Sequence, residues 1–144
     1  MYDKYLGALS RAIWDSDLIG TRLTLFFAEI FWATMLFWEG DTFDRPTYRH
    51  MATIVNEETW GLVFLISACT QLTIILLDDL HTKFARYFAC WNSLLWLYVV
   101  GSMVASVYPP PAAIGGELAL SMGAFWIWMR PYILAEGYKR AGYY

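Results

Sequence analysis

The chain has 144 residues, a length that suits one domain, and its net charge of −3 provides no basic surface for nucleic acid. Hydrophobic residues make up 58% of it and charged residues only 16%, whereas average soluble domains carry about 25% charged residues. Because so few polar side chains cannot cover a soluble fold, the composition disfavours a soluble enzyme, a disordered chain and a nucleic-acid binder. It predicts an all-α integral membrane protein.

The first segment, residues 1–17, is predicted to be an amphipathic helix at the membrane interface. The apolar residues that recur there at helical spacing are Tyr2, Leu6, Leu9 and Ile13. Asp15, Ser16 and Asp17 follow and offer side chains that can cap the start of a new helix. We therefore expect a separate surface helix, which anchors the chain to the membrane or docks a partner.

Four apolar segments follow, and each has the length of a membrane span. They cover residues 18–38, 59–77, 87–107 and 112–130. At about 1.5 Å per residue, each reaches roughly 30 Å, the thickness of a hydrocarbon core. We predict one membrane domain over residues 1–144 in which four transmembrane helices form an antiparallel bundle. Residues 39–58 form an outside loop, and residues 131–144 form a cytoplasmic tail.

The outside loop contains two local signals. Pro46 can open a short helix, and we expect its Tyr48, Met51 and Val55 to face the membrane. Asn56, followed by two glutamates, is typical of a helix N-cap with acids at the positive end of the helix dipole.

The distribution of Lys and Arg predicts the orientation. Eight of the ten lie in the N-terminal region, the loop between spans two and three, and the C-terminal end, whereas only Arg45 and Arg49 lie in the outside loop. Cytoplasmic segments are enriched in Lys and Arg, so both termini are predicted to be inside, as an even number of spans also requires. The predicted location is a bacterial inner membrane.

Small residues form stripes on the last two spans. They are Gly101 and Ala105 on span three, and Ala112, Gly116, Ala119 and Gly123 on span four. Lipid provides no hydrophobic drive between helices, and small residues let helices approach closely. These helix-packing candidates serve either packing within the bundle or contact with a second copy or another membrane protein.

Glu29 is the most informative residue, because it lies next to the midpoint of span one. A charge at that depth costs roughly 2.5–3.5 kcal/mol on insertion scales. We therefore expect a protonated acid, which either bonds Gln71 or a Ser/Thr in the bundle or exchanges its proton during function. Arg22 lies about 10.5 Å away along the same face, so it reaches Glu29 only partly or extends to the inner interface. Asn92 is another deep polar group.

A short resemblance to a known family surrounds this residue. Ala28-Glu29-Ile30, then Thr34 and Glu39-Gly40, resemble the first span of small multidrug-resistance transporters. That family has four spans and a membrane-embedded, proton-exchanging glutamate, so the resemblance implies that role for Glu29 alone. This chain departs from the family in its greater length, larger first outside loop and stronger charge bias.

No cofactor or metal site is predicted. One acidic and histidine cluster comprises Asp78, Asp79 and His81, and a second comprises His50 with Glu57 or Glu58. Metal binding needs three or four convergent donors, and neither cluster has a strong ligand spacing. Cys69 and Cys90 lie in apolar runs and are expected to be packing thiols. No nucleophile motif or phosphate-binding loop occurs, so we expect no enzyme activity.

The layout of the chain resembles that of phage holins, which are small, have short loops and self-associate in membranes. Most holins have fewer spans and a more basic tail, and superinfection-exclusion proteins share the same layout. We therefore hypothesise a small phage-type inner-membrane protein that acts through helix association. The alternatives are a proton-coupled small transporter using Glu29, and an accessory subunit of a larger membrane complex.

Overall fold

The computed structural model describes residues 2–38, 42–77, 80 and 82–140, with the side chains of residues 16–38, 42–77, 80, 82–134 and 136 among them. All secondary structure in these ranges is helical, which confirms the all-α prediction. The helices are α1 (Tyr2–Trp38), α2 (Arg49–Ala52), α3 (Glu57–Leu76), α4 (Lys83–Ser106) and α5 (Ile114–Arg140).

Three helical segments among the described residues are long and apolar enough to cross a membrane. They are the Ser16–Trp38 part of α1, the whole of α3 and the whole of α4. Helix α5 has 27 residues but is not among them. Its first turn contains two glycines and Glu117, which lower its hydropathy, and Pro131 lies inside it. The fourth span therefore stays a prediction.

Helix α1 runs for 37 residues without a break. The expected helix start at Asp15, Ser16 and Asp17 is wrong, because these residues lie within the helix. The hydroxyl of Thr21 donates to the main-chain oxygen of Asp17, four residues earlier, at 2.9 Å. Such a bond is typical of the interior of a continuous helix. The amphipathic surface helix stays a prediction, since the side chains of residues 1–15 lie outside the described residues.

The long helices pack in two close pairs. Helix α1 packs most closely against α3, and α4 packs most closely against α5. The pairs meet through large rings: Trp32 on α1, Phe64 on α3 and Trp96 on α4 lie with centroids 5.3–6.0 Å apart. All three rings are buried, and together they form an aromatic layer between the helices.

The loop between α1 and α3 covers the outer end of this layer. Met51 is completely buried, and Tyr48 and Val55 pack against the same core. The indole nitrogen of Trp60 donates to the main-chain oxygen of Met51 at 3.1 Å. These apolar side chains therefore face the protein interior, and the expectation that they face the membrane is wrong.

Local hydrogen bonds fix the start of α3. The side chain of Asn56 accepts from the main-chain N–H of Thr59 at 3.0 Å, which confirms the predicted N-cap. The carboxylate of Glu57 accepts from the main-chain N–H of Thr42 at 3.0 Å. The first turn of α3 thus ties the loop to the bundle.

Candidate functional site

A band of five polar side chains crosses the interior where α1, α3 and α4 meet. They are Arg22 and Glu29 on α1, Ser67 and Gln71 on α3, and Asn92 on α4, and each is at most 2% exposed. Residues four or seven apart share one face of a helix. Because α1 and α3 are antiparallel, Arg22 lies level with Gln71, and Glu29 lies level with Ser67.

Arg22 is held entirely inside the bundle. Its Nη1 donates to Oε1 of Gln71 at 2.7 Å, and its Nη2 donates to the main-chain oxygen of Ala85 at 3.0 Å. Arg22 therefore bonds Gln71 and Ala85 and not Glu29, and its guanidinium points towards the first turn of α4, where it is buried. Two neutral acceptors inside the protein replace the water that a guanidinium would otherwise find at the membrane surface.

The carboxyl group of Glu29 belongs to a chain of three side chains. The hydroxyl oxygen of Ser67 lies 3.0 Å from Oε1 of Glu29 and 2.7 Å from Oδ1 of Asn92. A serine hydroxyl has one hydrogen and two lone pairs, so it cannot donate to both oxygens. If Ser67 donates to Asn92 over the shorter distance, Glu29 must donate to Ser67. This direction requires a protonated Glu29.

A second arrangement of the same atoms suits an ionised Glu29. Rotating the amide of Asn92 by half a turn would place its NH₂ group against Ser67, which then donates to the carboxylate. The two protonation states of Glu29 thus correspond to two directions of one hydrogen-bond chain. The proton on Glu29 and the orientation of Asn92 are coupled through Ser67.

Four buried polar atoms of the band, and the indole nitrogen of the neighbouring Trp96, have no hydrogen-bond partner among the described residues. They are Nε of Arg22, Oε2 of Glu29, Nε2 of Gln71, Nδ2 of Asn92 and Nε1 of Trp96. Each such atom costs about 1–3 kcal/mol when it is desolvated. Polar residues kept at this cost inside a membrane bundle indicate function more readily than stability.

The surroundings of the band differ on its two sides. On the side of the α1–α3 loop, Trp32, Phe64 and Trp96 lie three or four residues from Glu29, Ser67 and Asn92 along their helices. On the opposite side, Arg22 reaches Ala85 in the first turn of α4, next to the buried side chains of Ile74 and Leu80. The polar side chains of the band therefore continue towards the start of α4 and end at the aromatic layer.

The predicted helix-packing residues lie mostly on the outside of the bundle. The exposed ones are Gly101, Ala105, Ala112, Gly116 and Ala119. Only Gly123 faces a neighbouring helix closely, since a Cβ atom there would lie 3.2 Å from Cγ2 of Thr21. The contact between α4 and α5 includes instead a hydrogen bond from the hydroxyl of Ser121 to the main-chain oxygen of Ser93 at 2.9 Å.

The remaining candidate residues stand apart from the band. Asp78, Asp79 and His81 lie outside the described residues. His50 is exposed, and Glu57 binds the loop backbone as described above. Cys69 is exposed and Cys90 is half-buried, so neither thiol is enclosed by the core.

Comparison with known proteins finds no match among protein-family models, curated proteins or solved structures. The function is therefore argued from the geometry of the chain itself.

Proposed function

We propose that the chain is a four-span protein of a bacterial inner membrane that acts through helix association, in the manner of phage holins or superinfection-exclusion proteins. The observation that carries the proposal is the outward position of the small residues on α4 and α5. Two of them, Gly116 and Ala119, lie along one side of α5 and are exposed, and Ala112, which is also exposed, precedes the helix. A second helix can approach such a surface closely, which is the main source of helix affinity in lipid.

The proposed fourth span is the first part of α5. This helix lies antiparallel to α4 and packs closely against it, so α5 returns across the layer that α4 crosses. An even number of spans agrees with the N-in, C-in orientation that the Lys and Arg distribution favours. A reporter that is active only in the cytoplasm should be active when fused to the C-terminus. Activity of a periplasmic reporter at that position would instead remove the fourth span from the proposal.

The lesion-forming activity is tested by controlled expression in a bacterial host. We expect the wild-type chain to arrest growth and to collapse the membrane potential, measured with a potential-sensitive dye. Gly116→Leu should delay or abolish both effects, because the larger side chain prevents close helix approach.

Gly115→Leu is the matched control, since neither glycine has a neighbouring atom within 4 Å of the added Cβ and only Gly116 lies on the stripe. Equal effects of the two variants would contradict helix association through the stripe, and an unchanged potential on wild-type expression would contradict the holin-like activity. Co-purification of the chain with a fixed set of membrane proteins would instead favour an accessory subunit.

Proton-coupled transport is the second candidate, and the hydrogen-bond chain of Glu29, Ser67 and Asn92 favours it. A transporter needs a carboxyl group that accepts and releases a proton, and this chain of side chains offers a bonded arrangement for each state. Acid-dependent export that is lost in Glu29→Gln and partly kept in Glu29→Asp would support it. Absence of export by the wild-type chain would leave helix association as the remaining proposal.

A further inference from the structure

A groove of about 520 Å³ opens between α1 and α5 on the surface of the bundle. It exists because both helices place small residues where they face each other: Gly20 on α1, and Ala119 and Gly123 on α5. A Cβ atom added at Gly20 would meet no atom within 4 Å, so the space in front of this residue is open.

The length of the groove along α1 matches the thickness of one lipid leaflet. On α1 its lining begins at Ser16, the first residue of the candidate span, and ends at Leu25. Nine residues of helix rise by about 14 Å, close to half of a hydrocarbon core that is roughly 30 Å thick. The groove therefore runs from the membrane interface on the N-terminal side to the middle of the bilayer.

The walls of the groove present apolar surface to whatever occupies it. The hydroxyl of Thr21 donates to the main-chain oxygen of Asp17 at 2.9 Å, and the hydroxyl of Thr24 donates to that of Gly20 at 3.0 Å. Both hydroxyl hydrogens are thus used within α1, and the methyl groups remain for contact. Leu25 and Trp126 complete an apolar lining.

The interfacial end of the groove carries a negative charge. Asp17 lines this end and is exposed. A carboxylate there attracts a cationic group at the level of the lipid headgroups and repels an anionic one, and this attraction weakens with distance and salt. The charge and the apolar walls together describe an amphipathic ligand with a cationic end.

We propose that the groove binds one phospholipid of the leaflet on the N-terminal side. An acyl chain lies between α1 and α5, and the headgroup is one that carries a primary ammonium, as in phosphatidylethanolamine. The ammonium group donates to the carboxylate of Asp17. The acyl chain covers the small residues and fills a space that the described part of the chain leaves open.

The proposal is tested by native mass spectrometry of the full chain, released in mild detergent from bilayers that contain equal amounts of phosphatidylethanolamine and phosphatidylglycerol. We expect the wild-type chain to retain one lipid, with a several-fold excess of phosphatidylethanolamine. Gly20→Leu should lose the retained lipid, because its side chain fills the groove. Gly115→Leu is the control and should retain it, since Gly115 has equally open surroundings but does not line the groove.

The headgroup is tested separately with Asp17→Lys, which reverses the charge while leaving the groove open. We expect the retained lipid to change from phosphatidylethanolamine to phosphatidylglycerol. Ala119→Leu offers a second way to fill the groove if Gly20→Leu does not yield a monodisperse protein.

Three results would overturn the proposal. The first is the same lipid retention in both groove-filling variants as in the wild type. The second is a wild-type preference for phosphatidylglycerol. The third is a wild-type dimer without lipid that Gly20→Leu dissociates, because the occupant would then be a helix of a second copy. None of these measurements depends on lesion formation or on proton transport.

Discussion

The contact between α1 and α3 and the contact between α4 and α5 each join two antiparallel helices, but by different chemistry. The first contains a buried guanidinium and a buried carboxyl group, held by Gln71 and Ser67. The second contains a serine pair, Ser93 and Ser121, and near its end the guanidinium of Arg86 lies 5.8 Å from the ring centroid of Tyr132. Completely buried charged residues are costly inside a membrane, so we expect those of the first contact to do more than hold the helices together.

The difference predicts unequal sensitivity to mutation. Replacing Gln71 with Leu removes the side-chain acceptor of the buried Arg22, which leaves its charge with one remaining acceptor, the oxygen of Ala85. We expect a destabilisation of about 1.5–3 kcal/mol, the range for a hydrogen bond to a charged group. The loss of stability is measured by unfolding the protein in mixed micelles while the fraction of denaturing detergent is increased. In Arg22→Met with Gln71→Leu the charge itself is gone, so this double variant should recover most of the loss. Failure to recover would show that Gln71 acts through packing.

The contact between α1 and α5 should show an intermediate effect. In Gly123→Leu the added Cβ lies 3.2 Å from Cγ2 of Thr21, so the side chain of Thr21 or the helix α5 has to shift by a few tenths of an ångström. Overpacking of this kind costs typically about 1–3 kcal/mol. Gly116→Leu meets no neighbour in the chain and should leave the unfolding curve unchanged. A loss of stability in Gly116→Leu as large as in Gly123→Leu would contradict this assignment.

The helices themselves were largely predictable. Long uncharged runs predict α3 and α4, because they permit few alternatives to a span, and the N-cap at Asn56 follows from local hydrogen bonding. The helix start that the sequence predicted before residue 18, and that the structure does not have, was wrong for a local reason. Asp15, Ser16 and Asp17 have the side chains of a cap, but the same residues are tolerated in the middle of a helix, and nothing in the sequence distinguishes the two uses.

The partners within the polar band were only partly predictable. Ser67 lies one turn before Gln71 on the same face of α3, so helical spacing alone would have placed it beside Glu29. The acceptor that buries Arg22 is a main-chain oxygen, which every residue has, so it leaves no signal in the sequence. The inward direction of Met51 depends on an aromatic layer that three helices build together, and no local pattern shows it.

The serine pair of the α4–α5 contact should matter little. Ser121→Ala removes the hydroxyl that donates to Ser93, and the vacated oxygen remains bonded within α4. Hydrogen bonds between membrane helices contribute about 0.6 kcal/mol on average, so a loss of that size is expected in the mixed-micelle assay. A loss comparable with that of Gln71→Leu would mean that the two contacts do not differ as described.

The smallest change in stability is expected for Glu29→Gln, although this residue lies at the centre of the band. In the arrangement with a protonated Glu29, the carboxyl group donates to Ser67 and Ser67 donates to Asn92. The amide of glutamine can donate to Ser67 in the same way. The variant should therefore unfold at the same detergent fraction as the wild type.

Infrared spectra test the protonation state of Glu29 directly. The wild type should show the carbonyl band of a protonated carboxylic acid, and Glu29→Gln should lack this band. If Glu29 were ionised, the band would be absent, and the glutamine would have to turn its oxygen towards Ser67 and leave an NH₂ group unpaired. A clear destabilisation of Glu29→Gln together with an absent band would thus assign the ionised state and the opposite direction of the hydrogen-bond chain.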